Sequence, residues 1–568
     1  MNILAINPGH NGSAALLVDG DLKFYIEEER LSRNKYDGNP FVGMMEALKY
    51  GVDILVLGGT SPHFPQLPWT GEDPYSCFLR KFNPKLQVIN LGENHHVGHA
   101  AGAFFNSGFD EAAAVIVDGA GSHKQIPLSD EFKNPGFETE SIYKCNYEEG
   151  IGPIYTSLGG NYDTMFAKSV QLEMDSSITI VKGYEAVSEY LDFGFIEAGK
   201  TMGLAPYGKK DKNIPDLFIN GRGNRNVFIP SYPAGAHIDK QRNSYLDIAK
   251  SEWHIDPSKV TDVHKNLAWA IQDETQRLVG DLIEKAADTT GYKNIVIAGG
   301  YGLNCVANYY YKERFPDLNI FVDPISHDGG TAIGLAYLVH YQNEKEDKKK
   351  RPLKSLYLGP ERKEDYDFGD IETKDVKAAD VAKLIADKNI VALFQGRSEA
   401  GPRALGNRSI LYDPTDPNGK DFVNTVKGRE WFRPFAGSML QENFEEWFET
   451  RGLKESPYMM YAMDFKTDKH GEVPAITHVD GTCRIQTVTK EQNSNYYSLI
   501  KEFDKITGVP ILFNTSFNLA GQPLVETLED AMMTVKNSDI NYLYLPDVGK
   551  LVHYPYNDSV VEDLGEAA

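Results

Sequence analysis

The chain opens on a continuous apolar run, Ile3-Leu4-Ala5-Ile6, which predicts a first strand buried on both faces rather than a leader peptide. A glycine-rich loop follows, Pro8-Gly9-His10-Asn11-Gly12-Ser13, then a second apolar segment from Ala14 to Val18. Asp19-Gly20 separates it from a third, Leu22 to Ile26, and an Asp-Gly pair between two strand patterns predicts a tight hairpin. The theme of strand then glycine returns at Ala113 to Val117 before Asp118-Gly119-Ala120-Gly121. It recurs at Ile295 to Ala298 before Gly299-Gly300, and at Ile320 to Asp323 ahead of Gly329-Gly330. Duplicated hairpins with glycine loops, followed by αβ units, predict an α/β fold of actin-like ATPase type, two related halves around a cleft.

Helical spacing marks an amphipathic stretch from Asn94 to about Asn106 and another from Thr331 to Tyr341. After the latter, Glu344-Lys345-Glu346-Asp347-Lys348-Lys349-Lys350-Arg351-Pro352 is charged and ended by proline, which predicts an interdomain linker. The expected domains are therefore 1–345 and 346–568. The second is read as α/β from strands at Ile390 to Phe394 and Val509 to Phe513, and the acidic tail beyond Tyr556 reads as a mobile end.

Composition narrows the classes. At 568 residues the chain exceeds what one hydrophobic core holds, and 41% hydrophobic with 24% charged residues is ordinary for a globular protein. No apolar run approaches the roughly 20 residues of a spanning helix, so no membrane partner is expected. Four scattered cysteines (Cys77, Cys145, Cys305, Cys483) without a C-x-x-C pair predict neither a disulfide framework nor a zinc ribbon, and fit a reducing cytoplasm. A net charge of −23 argues against a broad nucleic-acid surface; a nucleic-acid partner would need a local basic groove. An oligomer is not excluded.

Three groups of residues carry chemistry. In Asn94-His95-His96-Val97-Gly98-His99 the pair His95/His99 is offset by only about 40° around a helix and could share a cation, with His96/His99 as the rival pair. Two imidazoles suit Zn, Fe, Ni or Cu, and Asp118 and Asp328, each beside glycines near a strand end, are the candidate carboxylates. Surface or helix-capping histidines are the competing reading. Gly299-Gly300-Tyr301-Gly302-Leu303-Asn304 follows a strand and could cradle a nucleotide, or be glycine-rich for packing alone. Gly199-Lys200-Thr201 lacks the upstream glycine spacing of a P-loop and is rejected as one.

The third group is Gly396-Arg397-Ser398-Glu399-Ala400-Gly401-Pro402-Arg403-Ala404-Leu405-Gly406-Asn407-Arg408-Ser409, with Lys427, Arg429 and Arg433 soon after. Arginines among glycines suit bidentate capture of phosphates, and ion pairs with Glu399 and Glu430 are the alternative. Asn514-Thr515-Ser516-Phe517-Asn518 follows a strand and adds short polar groups.

These motifs, with Glu27-Glu28-Glu29-Arg30-Leu31-Ser32-Arg33-Asn34-Lys35, Gly199 to Gly208 and His478 to Gln486, occur in an order that resembles the NodU/CmcH family of O-carbamoyltransferases over nearly the whole chain. The resemblance implies a Kae1-like, actin-type domain followed by a YrdC-like domain. The second would make carbamoyladenylate from carbamoyl phosphate and ATP (with Mg2+), and the first, holding a divalent metal, most often Fe2+, would pass the carbamoyl group to an acceptor hydroxyl. It implies His95, His99, Asp118 and Asp328 as metal ligands. It also implies Arg403 and Lys427 as catalytic and Arg429, Arg484, Asn514, Ser516 and Asn518 as phosphate-binding residues. Lys35, Gly299, Gly300 and Asn304 complete the candidate cofactor-binding set, and His10 is the candidate base. The chain departs from the family at His10-Asn11, where His-Asp is usual, and at Lys35-Tyr36-Asp37, where Lys-His-Asp is usual. Both departures bear on the acceptor, which is expected to be a sugar, natural product or hydroxymethylated nucleobase. A tRNA threonylcarbamoyl-type enzyme is disfavoured by the charge and by the fusion of both domains. A non-catalytic actin-type protein would leave the arginine-rich segment without a purpose.

Overall fold

The computed structural model describes residues 1–568 apart from 62, 69, 128–132, 160–177, 195, 232–234, 240, 247–258, 345–348, 363–365, 367, 369–370 and 555–568. It divides into two compact units. The first comprises Met1–Leu358 with Ala400–Pro402 and Met460–Ala462, and the second holds the remainder. The change from one unit to the other at Leu358/Gly359 lies beyond the charged segment expected to be the linker, of which 345–348 fall outside the described residues, as does the acidic tail.

The first unit repeats one topology. β1 (Asn2–Asn7), β2 (Ser13–Val18), β3 (Asp21–Glu27), β4 (Ile54–Leu57) and β5 (Gln87–Asn90) form a sheet in the order β3-β2-β1-β4-β5. β1 runs antiparallel to β2 and parallel to β4. Ile3 to Ile6 are fully buried, as a strand covered on both faces requires. The β2–β3 turn is the expected one: Asp19 (φ 50°) and Gly20 (φ 82°) both take the left-handed conformation that a two-residue hairpin demands.

The second sheet contains β6 (Glu111–Val117), β7 (His123–Pro127), β8 (Lys133–Asn146) and β9 (Gly150–Gly159). Two small hairpins intervene, β10 (Phe218–Ile219) with β11 (Arg222–Gly223) and β12 (Phe228–Ser231) with β13 (Gly235–Ile238). β14 (Asn294–Ala298) and β15 (Asn319–Val322) then complete the order β9-β8-β6-β14-β15, with β7 added to the start of β8. The first strand of each sheet again has antiparallel hairpin strands on one side and parallel crossover strands on the other.

The helices His95–Ser107 and Thr331–Asn343 cross in close backbone contact. A Cβ on Gly334 would overlap the carbonyl oxygen of Gly98, so this crossing admits only glycine there. Because the first helix begins at His95 and the second follows directly on Asp328–Gly330, the crossing brings both N-terminal ends to one place.

The second unit is a mixed α/β layer. Its sheet contains β16 (Thr373–Asp375), β17 (Val391–Phe394), β18 (Arg408–Tyr412), β19 (Ala436–Leu440), β20 (Ala462–Asp464), β21 (Thr482–Val488), β22 (Ile511–Ser516), β23 (Tyr542–Leu545) and β24 (Lys550–His553). The order is β16-β24-β23-β17-β18-β22-β19-β21-β20. Among the described residues no helix is long and apolar enough to cross a membrane, and the four cysteines are not joined in disulfides.

Candidate metal centre and anion site

His95 and His99 are successive turns of one helix, Asp118 ends β6, and Asp328 opens the turn into the Thr331–Asn343 helix. Their donor atoms all lie within 4.8 Å of one another. His95 Nε2 stands 3.3 Å from His99 Nε2, 3.4 Å from Asp118 Oδ2 and 3.7 Å from Asp328 Oδ1, and His99 Nε2 is 3.9 Å from Asp328 Oδ1. Donors around one cation with bonds of about 2.0–2.2 Å are spaced roughly 3–4.4 Å apart, a window that holds these four distances, and the widest spread of 4.8 Å needs only a small inward shift for one divalent ion. His96 points elsewhere, its Nδ1 2.8 Å from Ser141 Oγ, which removes the rival pair.

The surroundings hold this set in place. Ser122 Oγ accepts from the His95 backbone N–H and fixes the helix start. The Gly300 N–H donates to Asp118 Oδ1 at 3.2 Å, so that oxygen is held away while Oδ2 faces His95. Two carboxylates against two buried imidazoles leave the cluster short of positive charge. Burial alone would favour neutral His95, but Asp328 and Asp118 outweigh it and push its pKa up to about 10. Burial, then the neighbouring His95, push His99 down to about 4. Burial opposes ionisation of Asp118, yet the histidines hold it well below the usual carboxylate range. A cation would take the role that the His95 proton plays here.

The remaining candidates of this unit fall into two places. Gly299 packs its α-carbon against the Val117 backbone with φ 88°, and Asn304 caps the next helix through Ala307 N while exchanging hydrogen bonds with Gln272. These contacts give Gly299, Gly300 and Asn304 structural partners in the strand–helix turn. His10 lies in the first glycine loop, stacked on Tyr36 with ring centroids 5.7 Å apart. Lys35 Nζ is 3.2 Å and the Tyr36 hydroxyl 2.8 Å from Glu197 Oε1. Tyr36 itself takes φ 63°, a strained value for a bulky residue.

In the second unit the arginine-rich segment is less open than its composition promised. Arg408 is fully buried, donates to the carbonyls of Gln395, Asn407, Gly396 and Glu526, and stacks on Phe394 at 3.8 Å. Arg397 donates to the Gly359 carbonyl. Glu399 Oε1 accepts from the backbone N–H groups of Leu405, Asn407 and Arg408 and folds the loop around itself. Glu430 pairs with Arg433 at 3.4 Å. Lys427 is buried and holds the following loop through the Ser516 and Asn518 carbonyls and Asn518 Oδ1. Burial first, then Arg429 and Arg433, depress its pKa well below the usual lysine value.

Sheet register gathers other residues. Ala436 of β19 faces both Arg484 of β21 and Asn514 of β22, so the two longer side chains flank a small one in a single row. Asn514 is buried and donates to Ser438 and to the Ala404 carbonyl, while its Oδ1 and the Arg484 Nε make no hydrogen bond among the described residues. Arg429 reaches Thr515 Oγ1 at 3.4 Å, and Ser516 Oγ is 2.6 Å from Asn518 Oδ1.

Sequence reasoning missed two neighbours of the metal cluster. Lys182 and Glu185 form a 2.8 Å pair lying against Gly119, next to Asp118. His327 precedes Asp328 and stands 3.0 Å from Glu27 across the fold. The polar run Ser326-His327-Asp328 carried a local signal for His327, and no such run marks Lys182 and Glu185.

Residues 76–337 match the family described as carbamoyltransferase N-terminus, and 382–550 match carbamoyltransferase C-terminus. Nodulation protein U of Rhizobium tropici is 36% identical over 92% of this chain and 92% of its own. The 3'-hydroxymethylcephem-O-carbamoyltransferase of Streptomyces clavuligerus is 26% identical over 96% of this chain and 98% of its own. A solved structure of full-length HypF in its phosphate- and nucleotide-bound form covers 60% of this chain and 56% of its own at TM-score 0.31 and 11% identity, too remote to argue from.

Proposed function

Because the chain belongs to the carbamoyltransferase family of the NodU/CmcH type, we propose that it is an ATP-dependent O-carbamoyltransferase working through carbamoyladenylate. The observation that carries the reading is the convergence of His95, His99, Asp118 and Asp328 in one buried donor set. The first unit is then a Kae1-like, actin-type domain and the second a YrdC-like one, acting in a reducing cytoplasm where the cysteines stay thiols.

In the second unit, water hydrolyses carbamoyl phosphate, the bond to phosphorus breaking to release inorganic phosphate and carbamate. A carbamate oxygen then attacks the α-phosphorus of Mg2+-bound ATP, with departure of pyrophosphate and formation of carbamoyladenylate. Arg403, Arg429 and Arg484 offset the repulsion between these anions, and Asn514, Ser516 and Asn518 orient them. Lys427 shapes that loop through its three acceptors. In the first unit the acceptor oxygen attacks the carbamoyl carbon, the bond to AMP breaks, and the hydroxyl proton goes to His10. A divalent ion, Fe2+ by family resemblance, held by His95, His99, Asp118 and Asp328 would supply Lewis acidity toward the carbamoyl group. Lys35, Gly299, Gly300 and Asn304 line the adenylate's place. The acceptor is a hydroxyl on a sugar, natural product or hydroxymethylated base.

The test is pyrophosphate release from ATP by the full chain with and without carbamoyl phosphate, followed by mass spectrometry of hydroxylated acceptors for a carbamoyl increment. Release that depends on carbamoyl phosphate is expected. Release indifferent to it would remove the carbamoyladenylate route.

A further inference from the structure

Behind the metal ligand Asp328 lies a buried polar network that the reaction above does not use. Glu27 at the end of β3, His327 and Arg30 are almost wholly buried. The Gly329 N–H donates to His327 Nδ1 at 3.0 Å, so that nitrogen carries no proton and the ring N–H sits on Nε2. Nε2 is 3.0 Å from Glu27 Oε1, off the line of an ideal hydrogen bond, so the contact is chiefly electrostatic. Tyr25 Oη approaches the same carboxylate oxygen at 3.4 Å, and Arg30 stands 3.8 Å from the other. On the other side, Ser13 Oγ donates to the Gly329 carbonyl at 2.8 Å. The turn that presents Asp328 is thus gripped from β3 and from the first glycine loop, residues some 300 positions away in sequence.

Burying an ionised carboxylate costs several kcal/mol unless it is paired, so a structure gains little by placing one here merely to cap a three-residue turn. An asparagine would cap it through the same backbone N–H. We infer that Glu27 and His327 are positioning residues that fix the orientation of Asp328 in the metal centre, Glu27 acting through the His327 ring. The inference rests on reading the four-residue cluster as a metal centre. Carboxylate–histidine contacts behind metal sites set ligand geometry, and their loss typically weakens metal affinity by about 10–100-fold.

The experiment is titration of metal-free full-length protein with Co2+ alone, reading the dissociation constant and the visible d–d absorption spectrum, with circular dichroism as the folding control. Glu27→Gln, His327→Asn and His327→Gln are compared with wild type and with His95→Ala. Wild type should bind about one equivalent and His95→Ala none. Glu27→Gln and His327→Asn should bind about tenfold or more weakly with a shifted spectrum. His327→Asn keeps the Nδ1-like cap but loses the reach to Glu27, whereas His327→Gln places an amide nitrogen near where Nε2 stands and should recover most of the affinity. Wild-type affinity and spectrum in folded His327→Asn would show that the ring only caps the turn, and would overturn the proposal. If Glu27→Gln does not fold, the two His327 variants decide alone. No Co2+ binding by wild type would instead overturn the metal centre itself, and this proposal with it.

Discussion

The candidate metal cluster and the arginine-rich segment were both conspicuous as sequence, and the fold treats them in opposite ways. At the cluster, four side chains from one helix, one strand end and one turn bring their donor atoms together, and the Gly300 backbone N–H takes one oxygen of Asp118. In the segment 396–433, the most conspicuous charges are spent on the protein's own carbonyls: four for Arg408, one for Arg397, two for Lys427. Density of charge along a chain therefore overstates what can meet a ligand. A guanidinium carries five donors, and a glycine-rich loop offers many unpaired carbonyls to absorb them. In the proposed reaction the phosphates are met by Arg403, Arg429 and Arg484, the last supplied by a strand that carries no charge run of its own.

The largest expected effect falls on the cluster. His99→Ala should abolish stoichiometric metal, measured by elemental analysis, and lower carbamoyl transfer roughly a thousandfold, as loss of several kcal/mol of charge stabilisation implies. Pyrophosphate release should survive in the same variant. If release falls in step with transfer while the protein stays folded, the two regions are one site and the contrast between them dissolves.

Arg408 comes next, as a test of stability rather than binding. Arg408→Leu leaves three buried carbonyls and one part-buried carbonyl without this donor and should destabilise the second unit by on the order of 3 kcal/mol or more, read as an earlier unfolding transition in urea. A variant with unchanged unfolding but lost pyrophosphate release would make Arg408 a ligand residue after all.

The smallest effect sharpens the comparison within the anion site. Arg484→Ala should cost about 2 kcal/mol of charge-assisted hydrogen bonding, which is about a 30-fold rise in KM for carbamoyl phosphate or ATP, with unfolding unaltered. An unchanged KM would return the phosphate role to residues of the 396–433 segment.

The first hairpin was legible because it is local. Asp19-Gly20 can hardly be anything but a tight turn, and Ile3 to Ile6 form the doubly buried strand their continuity predicts. The His95–Ser107 helix and the pairing of His95 with His99 follow from helical spacing, and that spacing also admitted His96 until the Ser141 contact settled it. The nine-stranded order of the second unit was not legible, since strands such as β19 and β22 pair across more than 70 intervening residues with no local signal.

What the sequence determined by itself, then, is the type and local spacing of the groups: two imidazoles on one helix face, aspartates beside glycines, arginines on loops, and a duplicated rhythm of strand and glycine. These depend on periods of a few residues, which backbone geometry imposes wherever the segment lies. Only the tertiary structure decided that Asp118 and Asp328, 210 residues apart in the numbering, reach the same two histidines, and that the Gly98–Gly334 crossing brings them there. It also decided that Glu27 backs His327 and that Arg408 is surrounded by carbonyls. Those outcomes are set by close packing summed over the whole unit, and no stretch of chain short enough to show a pattern contains both partners.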